Sequence, residues 1–174
     1  MTFLGPFLRP PGAVGEGLFL RLCVRCGKCA SICSYGSIEI VGGFGKARRT
    51  PHVASRRTPC YLCMKCPPVC PTGALDPSVT QMARAGMGQA YILKDRCHNY
   101  TDGTICMTCY DRCPLRGSAV ILSNGLVPAM TSACVGCGVC DYVCPVQAVE
   151  IVPASFGRIP PSSVRPLEIP GRDG

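Results

Sequence analysis

The chain has 174 residues, a formal net charge of +8, no tryptophan and 6% aromatic residues, yet it contains 16 cysteines. Such a cysteine count is typical of a disulfide scaffold, of zinc sites or of iron–sulfur clusters. The N-terminus has no basic segment before an apolar one, and no stretch approaches the ~18 apolar residues of a membrane span. We therefore expect a cytoplasmic protein without a membrane span, in which stable disulfides are rare.

Four groups of four cysteines follow an N-terminal arm and use every cysteine of the chain. Groups one, two and four have the spacing C-x2-C-x2-C-x3-C, and group three has C-x8-C-x2-C-x3-C. The groups are Cys23, Cys26, Cys29 and Cys33; Cys60, Cys63, Cys66 and Cys70; Cys97, Cys106, Cys109 and Cys113; and Cys134, Cys137, Cys140 and Cys144.

The spacing within the groups decides between zinc and iron–sulfur clusters. Zinc sites usually combine two C-x2-C pairs across a longer loop. Three cysteines at every third position form a tight loop around one face of a cubane, and in bacterial ferredoxins the fourth cysteine serves the other cluster of a pair. The sequence therefore predicts four [4Fe–4S] clusters, with all sixteen cysteines as ligands.

Short strands are predicted between the cysteine groups. Alternating apolar residues, such as Ile38 with Ile40 and Val149 with Ile151, fit strands with one buried face. A proline follows the last cysteine of three groups, where it suits the first position of a helical turn. We expect an α+β fold of tandem two-cluster ferredoxin-like units. The predicted strand segments are 34–41, 51–55, 71–75, 90–95, 114–122, 126–130 and 145–152.

Composition gives no sign of catalysis or of nucleic-acid binding. Each oxidised cluster with four thiolates carries roughly −2, so four of them would offset the excess of basic residues. Aromatic residues are not interleaved with basic ones as a nucleic-acid site requires, and no group lacks a ligand. His98 directly follows a cysteine ligand and is interpreted as a polar loop residue; the alternative is a hydrogen bond that tunes the cluster. The basic segment 46–57, which contains His52, is either a solvated loop or a docking surface for an acidic partner.

The segments around the cysteines resemble the four-cluster ferredoxin-type proteins of periplasmic nitrate reduction and methylamine utilisation over about residues 9 to 152. They include RPPGAVGEGLFLRLCVRCGKCASIC, TPCYLCMKCPPVCPTGALD, GMGQAYILKDRCHNYTDGTICMTCYDRCPL and ACVGCGVCDYVCPVQAV. The chain also resembles, in size and cluster number, the small subunits of bacterial tungsten-dependent aldehyde oxidoreductases. Both resemblances imply an electron-transfer subunit without a catalytic site of its own.

The resemblance to multi-cluster subunits implies a nested pairing of the groups, first with fourth and second with third. Spacing alone also allows the sequential pairing, first with second and third with fourth. Nested pairing divides the chain into an outer unit, residues 17–45 with 117–152, and an inner unit, residues 46–116. The cluster ligands would then be Cys23, Cys26, Cys29 and Cys144; Cys134, Cys137, Cys140 and Cys33; Cys60, Cys63, Cys66 and Cys113; and Cys97, Cys106, Cys109 and Cys70.

The resemblance further implies a large catalytic partner, such as a tungsten or molybdenum aldehyde oxidoreductase, and a second redox partner, a ferredoxin, a flavoprotein or another subunit. The proline-rich arms, residues 1–16 and 153–174, lose little entropy on docking because they are already stiff. We expect both arms to lie on another subunit or on a further copy of the chain. The alternative is that they cover edges of their own domain.

Overall fold

A computed structural model describes residues 7–156, which form short helices and short strands joined by loops. The helices are α1 Glu16–Leu22, α2 Lys28–Ser31, α3 His98–Thr101, α4 Thr108–Asp111 and α5 Val139–Val143. The strands are β1 Ile38–Ile40, β2 Pro51–Val53, β3 Gly88–Ile92, β4 Val120–Ser123, β5 Val127–Met130 and β6 Val149–Pro153. Single 3-10 turns span Met82–Arg84 and Ala154–Phe156. This mixture confirms the predicted α+β class.

The strands form three antiparallel pairs, and each pair sits beside cysteine groups. β1 pairs with β2, and β4 pairs with β5, so each of these pairs joins two consecutive groups. β3 precedes group three and pairs with β6, which follows group four. In the N-terminal half the corresponding contact is a single bridge between Ala13 and Leu75. The segment 71–75 was predicted as a strand and forms no more than this bridge.

The prolines after the last cysteines lie in turns and not in helices, which corrects the predicted helical position. The N–H of Gln147 donates to the carbonyl of Cys144 at 3.3 Å, and that of Arg116 donates to the carbonyl of Cys113 at 3.2 Å. Each following proline is thus the second residue of a four-residue turn, a position where its fixed φ is favoured. The helical turns α2, α4 and α5 instead contain the third cysteine of their groups.

The described part of the N-terminal arm packs on its own chain, so the expectation that it lies on another subunit is wrong for residues 7–16. Leu8 is buried, and its carbonyl accepts from the N–H of Val53 at 2.8 Å. The buried Arg9 pairs with Glu16 at 2.5 Å and donates to the carbonyl of Pro51 at 2.7 Å. Phe7 is half-buried. These bonds satisfy a buried charge, which fixes the segment in place.

Residues 1–6 of the predicted N-terminal arm and residues 157–174 of the C-terminal arm lie outside the described residues. In the described part, the N–H of Ala154 donates to the carbonyl of Met87 at 2.9 Å, directly after β6. Within residues 7–156, no helix combines the length and the apolar character needed to cross a membrane.

The two halves of the described chain meet at a junction built from main-chain bonds and one buried carboxylate. The N–H of Cys60 donates to the carbonyl of Cys137 at 2.9 Å. Asp141 is 6% exposed, accepts from the Ser55 hydroxyl at 2.7 Å, and pairs with Arg56 at 3.1 Å. These contacts hold group two against group four.

Gly136 lets the backbones at the junction approach each other. Its φ is +72°, and an added Cβ would lie 2.5 Å from the carbonyl carbon of Gly88. The carbonyl of the preceding Val135 accepts from the N–H groups of Met87 and Gly88 at 3.0 and 3.1 Å. A side chain here would therefore force apart a pair of bonded main-chain segments.

We expect Gly136→Ala to lower the temperature at which the holoprotein loses its visible absorbance, and to do so more than Gly117→Ala. Both glycines have positive φ, but nothing lies within 4 Å of a Cβ added at Gly117. Each variant should lose about 1–2 kcal/mol from the backbone conformation, and Gly136→Ala a further ~1–3 kcal/mol from the contact. An equal loss of thermal stability in the two variants would contradict the close approach of the backbones at Gly136 and Gly88.

We also expect that the protein without clusters does not fold. The cavities that the cysteines line would be empty, and small domains with little core depend on their metal for stability. The measurement is a circular-dichroism melt of the apoprotein, with the iron- and sulfide-reconstituted chain as control. A cooperative melt of the apoprotein would show this expectation to be wrong.

Candidate metal centres

The sixteen cysteines line four cavities, four cysteines to each. The cavities open partly to solvent. We call them site A (Cys23, Cys26, Cys29, Cys70), site B (Cys33, Cys60, Cys63, Cys66), site C (Cys113, Cys134, Cys137, Cys140) and site D (Cys97, Cys106, Cys109, Cys144). Each site takes three cysteines from one group and the last cysteine from another, as cross-ligated clusters require.

The pairing is sequential, so the nested pairing predicted from the resemblance is wrong. Cys70 lies with Cys23 in site A, where nested pairing places Cys144. Cys33 lies with Cys60 in site B, where nested pairing places Cys113. The division into an outer unit, residues 17–45 with 117–152, and an inner unit, residues 46–116, rested on the nested pairing, and the cysteines do not follow it.

Strand pairing explains this arrangement. β1 begins five residues after Cys33 and β2 ends seven residues before Cys60, so their antiparallel pairing returns group two to group one. At the outer ends, the bridge between Ala13 and Leu75 brings Cys70 back toward group one. The pairs β4–β5 and β3–β6 do the same for groups three and four.

The sites follow each other in the order A, B, C, D. Cys29 of site A and Cys66 of site B pack in the same cluster of core residues. Cys60 of site B and Cys137 of site C share a main-chain hydrogen bond. Cys109 of site D packs with Cys140 of site C in a second cluster, where α4 and α5 are in contact. Sites A and D are therefore the two ends.

The loops between cysteines contain residues in left-handed backbone conformations. In group four, Gly136 and Gly138 have φ of +72° and +85°. Group two has Leu62 and Met64 at the same offsets, both with φ of +55°. Successive residues of alternating handedness form anion-binding concavities from their N–H groups.

Leu62 and Met64 shape the loop of group two, and the cysteine spacing did not point to them. A side chain with a Cβ costs roughly 1–2 kcal/mol in this left-handed conformation. Both side chains are buried, 2% and 8% exposed, and this burial offsets the strain. The glycines at the same offsets in group four were the signal that could have identified them.

Backbone amides also donate to the last cysteine of several groups. The N–H of Ser37 donates to Cys33 Sγ at 3.3 Å, and that of Ala148 donates to Cys144 Sγ at 3.2 Å. Burial opposes ionisation of Cys33, but the surrounding amides prevail and lower its pKa. Leu75 donates to Cys70 Sγ at 3.4 Å, and the pKa of Cys70 is lowered by the same kind of bond.

Burial dominates at Cys113 and at several cysteines within the loops, and it raises their pKa. It raises the pKa of Cys29 and Cys60 to about 11 and of Cys66, Cys109 and Cys137 to about 12, with neighbouring thiolates adding to the effect. Four thiolates can share such a space only with compensating positive charge. The iron core of a [4Fe–4S] cluster, about +2, supplies it, so the donor set and the cavities fit the predicted group.

The insertion in group three is held by Asn99. Its side-chain oxygen accepts from the N–H of Cys106 at 3.1 Å, and its amide donates to the carbonyl of Cys106 at 2.6 Å. This pair of bonds returns the longer loop to site D, so that Cys97 and Cys106 line the same cavity. The bonds from Asn99 therefore position Cys106 in group three, as the short x2 loop positions the second cysteine in the other groups.

The two histidines differ in their surroundings. His98 is the first residue of α3 and lines site D, and its Nδ1 lies 3.0 Å from Asp102 Oδ2. Its interpretation as a polar loop residue is therefore wrong, because it is helical and borders a cluster site. His52 lies in β2, Nδ1 is buried without a partner, and burial lowers its pKa despite the nearby Glu39. The segment 46–57 is therefore part loop and part strand.

Comparisons with known proteins agree with this geometry. A family model described as a 4Fe-4S dicluster domain matches residues 22–74, the span that contains groups one and two. A 4Fe-4S binding domain model matches residues 134–148, which hold group four. The first match joins the two groups that form sites A and B.

Curated relatives cover most of the chain. It is 37% identical over 164 residues to the methylamine utilization ferredoxin-type protein MauM of Paracoccus denitrificans (strain Pd 1222), covering 86% of this chain and 73% of the relative. The chain belongs to the ferredoxin-type 4Fe–4S proteins. It is 34% identical to the ferredoxin-type protein NapG of Escherichia coli (strain K12), covering 88% and 74% of the two chains. NapF of the same strain is 30% identical, covering 82% of each.

Double variants test the sequential pairing. Cys26→Ala with Cys70→Ala changes one site and should leave about 12 iron atoms per chain, because three sites with four irons each remain. Cys70→Ala with Cys106→Ala changes two sites and should leave about 8. Nested pairing predicts the reverse result, since Cys70 and Cys106 would then share a cluster. Iron and sulfide analysis of the purified variants makes the measurement.

Proposed function

We propose that the chain is the electron-transfer subunit of a multi-subunit oxidoreductase, in which four [4Fe–4S] sites relay single electrons between a catalytic subunit and a second redox partner. The uninterrupted order of sites A, B, C and D, given by the packing of their cysteines, carries the proposal. Two ends reached through two inner sites suit a relay between two partners.

The chain's own residues position and insulate the sites. When bound, each cluster supplies a centre that accepts and gives up one electron. The bond from the N–H of Cys60 to the carbonyl of Cys137 fixes the distance between the inner sites B and C. Loop amides and bonds to Cys33 and Cys144 stabilise negative charge at the sulfurs. The network of Asp141, Ser55 and Arg56 keeps the two halves in one orientation.

Each half of the chain forms a two-cluster ferredoxin-like unit in this proposal. Groups one and two with β1, β2 and the bridge of Ala13 make the first unit, and groups three and four with β3 to β6 make the second. The match of a dicluster domain model to residues 22–74 supports the first unit. The same cross-ligation pattern in sites C and D supports the second.

The catalytic partner in this proposal is a tungsten or molybdenum enzyme that oxidises aldehydes, and the second partner is a ferredoxin, a flavoprotein or a further subunit. The chain carries no catalytic site of its own in this scheme, which agrees with relatives named ferredoxin-type proteins. Further copies of the chain could extend the relay by stacking end to end. Location in the cytoplasm remains a prediction, which cell fractionation tests.

A ferredoxin-type component of a quinol-linked respiratory chain is the second candidate. The relatives that match most of the chain support it, because they are named ferredoxin-type proteins and not subunits of an aldehyde oxidoreductase. Co-purification separates the two candidates. A tungsten or molybdenum enzyme bound to the affinity-tagged chain supports the first, and reduction of the holoprotein by membranes supplied with quinol supports the second.

Cys63→Ser is expected to interrupt the relay at site B. Cys63 is an exposed cysteine of site B, and serine is a poorer ligand for iron. Electron transfer from the catalytic partner to its natural acceptor should fall at least tenfold, because sites A and D communicate through B and C. The partner's activity with a small dye should survive.

The exposed Ser132 provides a control, because its side chain lines none of the four sites. Ser132→Ala should transfer electrons at the wild-type rate. Unimpaired transfer to the natural acceptor by Cys63→Ser, with iron missing from site B, would contradict the series relay.

A further inference from the structure

Site A differs from the other three sites in the charge of its surroundings. Three cationic side chains line its cavity, those of Arg25, Lys28 and Arg49. Among the described residues, no Lys, Arg, Asp or Glu lines site B, C or D. Site A is also an end of the series, and its Cys26 is exposed.

Arg25, which lines site A, holds the basic segment around Lys46 and Arg48 next to this site by hydrogen bonds. Its Nε donates to the carbonyl of Arg48 at 3.1 Å, and Nη2 donates to the carbonyl of Lys46 at 3.3 Å. The side chains of Lys46 and Arg48 are exposed beside it. We call the surface formed by Arg25, Lys28, Lys46, Arg48 and Arg49 the basic patch.

The basic patch has no acidic counterpart within residues 7–156. No carboxylate lies within 4.0 Å of its five cationic groups, whereas Glu16 pairs with Arg9 and Glu39 pairs with Arg57. A cluster of about −2 in site A offsets the cations that line its cavity, but Lys46 and Arg48 line none of the four sites and still repel each other. An anionic surface would relieve this repulsion.

Two exposed apolar side chains lie close in the chain to residues of the basic patch. Val24 is 59% exposed, lines site A and precedes Arg25, and Phe44 is 88% exposed two residues before Lys46. A charged rim around a few apolar anchors is typical of protein interfaces, where the charges steer the encounter and the apolar groups hold it.

We propose that the basic patch docks an acidic redox protein, so that electrons enter or leave the series at site A. The inference rests on the proposed relay function and adds its end point and the charge of the partner. The occupant must bring a redox centre to the exposed Cys26, which a lipid surface or a nucleic acid does not do. The apolar anchors favour a folded protein over a small anion.

The test compares two double variants with the same change in charge. Lys46→Glu with Arg48→Glu reverses two charges of the basic patch, and neither side chain makes a hydrogen bond or ion pair within the described residues. Arg84→Glu with Arg116→Glu reverses two exposed charges whose residues line none of the four sites. Iron content and circular dichroism confirm folding, and Lys46→Gln with Arg48→Gln is a milder version of the first variant.

The probe is an acidic flavodoxin, and stopped-flow absorbance follows the reoxidation of dithionite-reduced holoprotein. The wild-type rate should fall as salt rises from about 0.02 to about 0.3 M, because salt screens steering over this range. Reversal of Lys46 and Arg48 should lower the low-salt rate about tenfold, within the usual range of steering effects, and the neutral variant should fall between. The Arg84 and Arg116 control should stay within about twofold of wild type, since these charges lie elsewhere.

Equal rates for the two charge-reversed variants, or a wild-type rate independent of salt, would overturn the docking proposal. Hexaamminecobalt(III), a small cationic oxidant, separates this failure from failure of the relay function. If it reoxidises the reduced holoprotein, the proposed relay function is retained and only the docking proposal is rejected. If neither oxidant reacts, the proposed function is rejected as well.

Loss of binding to phosphatidylserine vesicles in the Lys46 and Arg48 variant, with an unchanged flavodoxin rate, would assign the patch to a lipid surface and also overturn the proposal.

Discussion

Every site takes its fourth sulfur from a different cysteine group, and the rest of the structure depends on this constraint. Site A cannot close until Cys70 returns to Cys23, and site B cannot close until Cys33 meets Cys60. The strand pair β1–β2 and the bridge between Ala13 and Leu75 bring these residues together. Strands of three to five residues would be marginal alone, so strands and sites stabilise each other.

The same constraint explains why unfavourable local features persist around the sites. Burial raises the pKa of Cys66 and Cys137, so each empty site resists the ionisation that metal binding needs. Leu62 and Met64 hold left-handed conformations that only glycine adopts readily. The buried Asp141 requires both Ser55 and Arg56. Each feature is compensated by the cluster charge, by side-chain burial or by a hydrogen bond.

Much of the fold followed from local signals, because spacing and alternation are local properties. The alternation of Val149 with Ile151 marked β6, and that of Ile38 with Ile40 marked β1, although Ile40 is 45% exposed and the predicted buried face is wrong there. The cysteine spacing predicted which residues gather, and the structure brings all sixteen into four cavities. Pairing of the groups was not local. It depends on strand partners far apart in the chain, and the resemblance to multi-cluster subunits indicated the wrong one. The packing of residues 7–16 was missed because the buried pair of Arg9 and Glu16 has no signature in the sequence.

A crystal structure of the holoprotein, with iron located by its anomalous scattering, tests the central claim most directly. The account predicts four iron clusters in the order A, B, C, D, with Cys70 bound to the same cluster as Cys23, Cys26 and Cys29. Binding of Cys144 to that cluster, or a cluster of the second half lying next to site A in place of site B, would contradict it.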